Sequence, residues 1–458
     1  MMDSLIPRRK LEPGEEEQIA SWKQQLLANP YRAYLYSYPH KTAYRPFPAP
    51  LKLSDLWREE TAETFFLYMH IPFCGARCGF CNLFTLPDKR TSAHEQYVDA
   101  LQRQAEQWAP YVSHKPLARF AIGGGTPTLL EPALLQRLFE IAENTMGMNA
   151  DKVSISVETS PETVTDSRLE ILKAYRTDRV SMGIQSFIEA EANAIYRPQK
   201  PQEVERALEL LREAGFPVLN LDLIYGLPGQ TVASWLYSLE RALAYEPEEI
   251  FLYPLYTREH TIVRPEQIEA QGEDLRMACY VAGRDRLLSA GYEQQSMRRF
   301  AKQDASLTKT LLPYSCQEEG MIGLGCGARS YTRRVHYASR YAVSKRATAS
   351  IIADYVSAKC YDEADYGIVL NEAEQKRRFI IKAILHREGL SSADYTARFG
   401  KGLLEDHPEL EWLVLGGLAE AAGGIIRLTA EGLAHSDAIG DWLISERIRE
   451  RMEAFVHL

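Results

Sequence analysis

Between residues 65 and 290, short β-rich runs alternate with stretches of helical period, and nothing else in this sequence restricts the fold so much. The runs are FFLYMH (65–70), RFAIGG (119–124), KVSISVE (152–158), RVSMGIQ (179–185), VLNLDLIYG (218–226) and EIFLYPL (249–255). Helical periodicity fills 93–112, 131–146, 161–175, 201–215, 231–246 and 273–290. This alternation predicts a parallel sheet, because parallel neighbours must be joined by crossovers. Several runs are almost continuously apolar, as strands covered on both faces are. Six units with right-handed crossovers make an α/β fold of the partial (β/α)6 barrel type. An open doubly wound sheet has the same period. The barrel is favoured because polar and glycine-rich residues gather at strand C-terminal ends, where barrels build their sites. Gly123–Thr128, Glu158, Gln185 and Asp222 all lie there.

The period breaks after residue 290. Four segments are therefore expected: an N-terminal extension (1–60), the βα core (61–295), an irregular segment that connects and covers the active site (296–370), and a C-terminal domain (371–458). In the last, helices followed by the short hairpin IIRLTAEG suggest a winged helix. Its 15 Asp/Glu against 11 Lys/Arg argue against nucleic-acid binding, as does the net charge of −9 on the whole chain. No apolar run reaches about 18 residues, so no membrane span is expected. The basic N-terminal residues have no apolar stretch behind them and do not read as a secretory signal. A cytoplasmic location is expected.

Three of the seven cysteines fall within eight residues, as Cys74-x3-Cys78-x2-Cys81, directly after the first strand. In a reducing compartment such clustering reads as metal ligation. Three soft thiolates on one loop suit three irons of a [4Fe–4S] cluster. Asn82 and Leu83 follow, so no local fourth cysteine completes the set. The fourth iron is left open for the amino and carboxylate groups of S-adenosylmethionine (SAM). A zinc loop is the alternative, but zinc favours paired C-x2-C or histidine spacings. Gly123-Gly124-Gly125-Thr126 ends the second strand, where exposed N–H groups are expected to meet the methionyl end of SAM. Arg197 is a candidate planar partner for its carboxylate. Cys326, in a glycine-rich stretch, is a candidate substrate-site thiol, and His70 a structural or supporting donor.

The ordered set YMHIPFC, GGGTPT, SVETSP, MGIQSF, YRPQ, LDLIYGLPGQT and MIGLGCGARS spans most of the chain. With these residues in view it resembles the oxygen-independent coproporphyrinogen III oxidase-like family of radical SAM proteins. The resemblance implies that Cys74, Cys78 and Cys81 are catalytic through the cluster they hold. It implies contacts from Tyr68, Gly124, Gly125, Thr126, Glu158, Gln185, Arg197 and Asp222 to the cluster-bound SAM. It also implies a second SAM near Phe80 and Ile224. The true oxidase carries a further cysteine where this chain has Leu83. In that respect the sequence is more similar to methyltransferase and cyclopropane-forming members. The expectation is therefore transfer of a SAM-derived methyl or methylene to an sp2 carbon. Oxidative decarboxylation of a tetrapyrrole and haem delivery are the alternatives. A small-molecule substrate and an electron donor such as flavodoxin or ferredoxin are the partners implied.

Overall fold

The six β-rich runs form six parallel strands laid side by side in chain order: β1 (Phe65–Ile71), β2 (Leu117–Gly124), β3 (Ser154–Thr159), β4 (Arg179–Gln185), β5 (Val218–Tyr225) and β6 (Glu249–Pro254). The computed structural model describes residues 13–31, 34–112, 114–257, 261–263, 273–303 and 315–456. Most of the N-terminal stretch read above for a signal lies outside the described residues. Helices Thr91–Val112, Pro132–Glu140, Asp166–Ala174, Pro201–Ala214 and Val232–Leu243 make the crossovers. Local sequence sets their ends. Pro201 occupies the first turn of its helix, and Gly215 ends it in the left-handed region at φ 70°. Thr231 and Ser234 form a reciprocal capping box at the start of Val232–Leu243.

Each strand turns one face to the helices and the other to the barrel interior. Phe120 on the helix side meets Phe139 of Pro132–Glu140 edge-on, ring centres 5.9 Å apart. The inner face is polar. Arg179 Nε donates to Glu249 Oε2 at 2.7 Å and Arg179 Nη1 to Ser156 Oγ at 3.2 Å. Asn220 Nδ2 donates to Ser181 Oγ at 2.7 Å and to Asp222 Oδ1 at 2.8 Å. The barrel is thus held from inside by hydrogen bonds and from outside by apolar burial.

Beyond β1 the sheet continues. Met321–Leu324 pairs parallel with β1, and Arg329–Tyr331, Val335–Ala338, Glu363–Val369 and Arg45–Lys52 follow antiparallel. The sequence reading found no period here. The strands between 321 and 338 are only three or four residues long, interrupted by Gly325 and Gly327, and alternation cannot register over so few positions.

The described chain divides into two compact units. The larger takes Tyr44–Gly291 and Lys302–Val369 and contains the barrel. The smaller gathers Met1–Ala43, Tyr292–Ala301 and Leu370–Phe455. Its C-terminal part has the winged-helix pattern: helices Glu372–Ile384, Ser392–Phe399 and Leu410–Leu415, and a sheet ordered Leu390–Ser391, Ile425–Leu428, Ala419–Ala422. Gly423 and Gly424, at φ 59° and 78°, make the hairpin turn. Within this unit Trp22 meets Trp412 and Trp442 edge-on, ring centres 5.7 and 5.2 Å apart.

The Arg179–Glu249 pair gives a direct test of the barrel interior. Glu249→Leu should destabilise the protein by about 2–3 kcal/mol, because it removes the buried carboxylate partner of a partly buried guanidinium. Arg179→Met combined with Glu249→Leu should recover most of that loss. Urea unfolding of the two variants measures the difference.

Candidate functional site

Chain direction brings the cysteine loop to the mouth of the barrel, directly after β1. Its two ends are closed by a short parallel pairing, Phe73 with Leu86 and Cys74 with Pro87. Leu86 N donates to Pro72 O at 2.7 Å and Asp88 N to Cys74 O at 3.2 Å. Inside the loop, Cys81 N donates to Cys78 O at 3.1 Å. Gly79 N donates to Ile195 O at 2.8 Å, and its missing side chain leaves room for the Tyr196 ring. Two further contacts fasten the loop: Arg77 to Val343 O, and the Tyr341 hydroxyl to Asn82 O. All three cysteines are free thiols and partly buried. Burial pushes the Cys74 thiol up to about 12, with its two neighbouring cysteines adding to the rise. Burial raises Cys81 too, against the Leu83 N–H and the Thr85 hydroxyl, which favour its thiolate.

The glycine run beside this loop is shaped by what replaces its side chains. A Cβ on Gly123 would fall 2.8 Å from the Glu158 carboxyl carbon, and one on Gly124 2.6 Å from the His70 ring. One on Gly125 would fall 2.4 Å from Phe73 O and 2.9 Å from Cys74 Sγ. The N–H groups expected to be exposed are already engaged. Gly124 N donates to Glu158 Oε2 at 3.0 Å, Gly125 N to Ile71 O at 2.7 Å, and Thr126 N to Phe73 O at 2.8 Å. The run therefore holds the cysteine loop against β3 rather than offering these three donors to a ligand.

Four polar side chains approach the mouth from β3, β4 and β5 and the segment after β4. Burial raises the Glu158 carboxyl, opposed by the Gly124 N–H and reinforced by Asp222. Asp222 is likewise raised by burial, opposed by Asn220 and Arg179. Gln185 sits at φ 70°, where the β4–β5 register shifts. A left-handed non-glycine residue at a bulge is strained backbone that re-aims its side chain, here bringing the amide back over Gly183. Arg197 Nη1 donates to Cys78 Sγ at 3.3 Å, Nη2 to Gly183 O, and Nε to Gln199 Oε1 at 3.1 Å. Tyr68, on the inner face of β1, reaches His70 Nδ1 at 3.3 Å, and burial raises its phenol well above the usual range. Phe80 and Ile224 come together in one apolar cluster with Ile195, Leu227, Leu255, Val263 and Tyr253.

The radical SAM superfamily model matches residues 68–242 and the HemN C-terminal domain model residues 370–435. The oxygen-independent coproporphyrinogen III oxidase of Salmonella typhimurium is 27% identical, over 91% of this chain and 93% of its own. The haem chaperone HemW of Escherichia coli is 30% identical, over 57% of this chain and 68% of its own. The chain belongs to the HemN/HemW-like family of radical SAM proteins. The solved structure of coproporphyrinogen III oxidase (HemN) from E. coli shares the fold, with a TM-score of 0.74 at 23% identity, covering 92% of this chain and 98% of that one.

A radical SAM protein implies a [4Fe–4S] cluster and SAM, and the cysteine loop suits the cluster. Burial favours the thiol forms of Cys74 and Cys81, a bias that coordination to cationic iron would reverse. Among the described residues no three His, Cys, Asp or Glu side chains converge on one metal ion. A cubane asks for no such convergence, since each thiolate takes a different iron.

Two readings of this radical SAM chain change with the structure. Cys326 is buried at 1% exposure with its Sγ 3.8 Å from the Tyr97 hydroxyl, and burial pushes its thiol up to about 12. It is a packing residue, not a thiol presented to substrate. Glu191, which the sequence reading missed, proves to be a junction. Its carboxylate accepts from Ser186 Oγ and Ser234 Oγ at 2.6 Å each and from Gln230 Nε2 at 3.1 Å. Gln230 Oε1 in turn accepts from Gly226 N at 2.7 Å. One carboxylate therefore ties the segment after Gln185, the turn after Ile224 and the helix leading to Arg197.

Glu191→Gln replaces an all-acceptor group by one whose NH2 would face donors. SAM binding should weaken by about tenfold, the cost of one to two buried hydrogen bonds, with iron content unchanged. Equilibrium dialysis with SAM and iron analysis of the reconstituted protein check this.

Proposed function

We propose that this chain cleaves SAM reductively and uses the resulting radical to abstract hydrogen from a propionate-type side chain of a tetrapyrrole-class substrate, as an oxidative decarboxylase. The observation carrying this reading is the extent of the likeness to the Salmonella oxidase, over 91% of this chain and 93% of that enzyme. It takes in the core and the C-terminal domain together.

Cys74, Cys78 and Cys81 would hold the cluster, whose chemistry when bound would be one-electron reductive cleavage of the SAM sulfonium. The chain's own residues bind and orient. Glu158 and Asp222 are acids that burial raises, so a cationic ligand relieves the cost of ionising them. Tyr68 and Gln185 would border the same ligand. Arg197, now donating to Cys78, would exchange its present partners for the SAM carboxylate. The apolar group around Phe80 and Ile224 would exclude water from the reacting carbon.

Leu83 favours a second reading, in which a second SAM beside Phe80 and Ile224 donates a methyl or methylene to an sp2 carbon. The test is one anaerobic incubation series of the reconstituted enzyme, with coproporphyrinogen III deuterated on its propionate side chains and with methyl-deuterated SAM. Deuterium in 5′-deoxyadenosine together with loss of CO2 supports the proposal. Methyl label in a product supports the second reading. A Soret change on adding haem, with no 5′-deoxyadenosine from any substrate, would sink both and leave a haem carrier.

A further inference from the structure

Arg77 is the charged residue of the stretch from Cys74 to Cys81, and it stands next to Cys78 in sequence. It is partly buried, and its guanidinium donates to Val343 O. Two residues earlier, the Tyr341 hydroxyl donates to the carbonyl of Asn82, the residue after Cys81. The segment 341–343 therefore grips the loop at two points, and one of them is the guanidinium. From that anchor its charge reaches Cys81 and favours the thiolate.

A carbonyl orients a guanidinium without neutralising it. Glu162 lies against Gly75 of the same loop, yet among the described residues no carboxylate pairs with Arg77. The other cation at the loop is Arg197, 3.3 Å from Cys78 Sγ, which the SAM carboxylate would draw away. Arg77 has no such second task. A cluster held by thiolates gains one negative charge when it is reduced, so a fixed cation nearby favours the reduced form. Charge and hydrogen bonding around the sulfurs are among the levers that set cluster potentials.

We propose that Arg77, anchored on Val343 O, raises the reduction potential of the cluster and continues to do so when SAM occupies Arg197. The proposal rests on the cluster being held by Cys74, Cys78 and Cys81. The step concerned adds one electron to the oxidised cluster, with no bond made or broken. Arg77 touches no reacting atom; it is a positioning residue that acts through the cluster.

The test is a potentiometric titration of the full-length, cluster-reconstituted protein with dithionite, the reduced cluster being followed by EPR with and without SAM. In Arg77→Gln, which removes the charge, the reduced fraction at a fixed potential should fall about tenfold, equal to about 59 mV for one electron. The same shift should appear with SAM bound. Arg77→Lys keeps the charge and should restore most of the wild-type potential. Tyr341→Phe loosens the same segment without altering charge, and its potential should match the wild type. An unchanged potential in Arg77→Gln, an equal shift in Tyr341→Phe, or a shift that disappears with SAM overturns the proposal. If Arg77→Gln assembles no cluster, Ala76→Glu decides, because Ala76 is exposed and the change leaves Arg77 in place. Its added negative charge should lower the potential, and no change there is equally fatal. Wild-type protein that reconstitutes no cluster signal counts instead against the assignment of the three cysteines.

Discussion

The barrel mouth is assembled around one imidazole. His70 Nε2 faces Phe84 O at 2.9 Å; a carbonyl only accepts, so this nitrogen carries a proton, while Nδ1 lies 3.3 Å from the Tyr68 hydroxyl. The ring lies where side chains of Gly124 and Gly327 would be, with ideal Cβ positions 2.6 and 2.9 Å from it. Its backbone carbonyl accepts from the Tyr97 hydroxyl at 2.8 Å. One residue therefore joins β1, the returning limb of the cysteine loop, the glycine run after β2 and the 325–327 turn. Gly325 and Gly327, both at φ 91°, reach this position in a backbone region that only glycine enters readily. The base of the cysteine loop is closely packed on every side.

Above that base the interior is charged. Glu158, Asp222 and Glu249 share the barrel with Arg179, which already donates to Glu249. Desolvation raises both Glu158 and Asp222; Glu158 stays open to solvent, so the stability cost of ionisation falls on Asp222. For acids whose folded pKa lies above the unfolded one, that loss grows as pH rises from the unfolded value through the folded value. A bound cation reverses the sign. The polar interior is better understood as preparation for a cationic ligand than as a stabilising feature, and it gives Arg179 the task of limiting the charge until the ligand arrives.

What the sequence disclosed follows from range. Strands β1 to β6 were legible because each is a run of six to eight residues with a helix after it, and the cysteine spacing is local. Phe80 and Ile224 are far apart in sequence, and only family resemblance put them together; the structure finds them in one cluster. Glu191 was invisible. It lies in the six-residue helix Glu189–Ala194 and looks like a solvated acid until Ser186, Ser234 and Gln230 are seen to converge on it. The glycine run was legible only in part, for a related reason. Glycine signals a close approach but not the identity of the neighbour, and here the neighbours are Glu158, His70 and Phe73, not a ligand alone.

Leu83 shows how one position carries two arguments. In sequence it marks where the chain departs from the true oxidase, because a cysteine there would put another thiol beside Cys81. In the structure the residue is 46% exposed, while its N–H favours the Cys81 thiolate. The backbone contribution to the cluster loop is independent of the side chain, so replacing cysteine by leucine leaves the ligand set untouched and alters only what meets an incoming molecule.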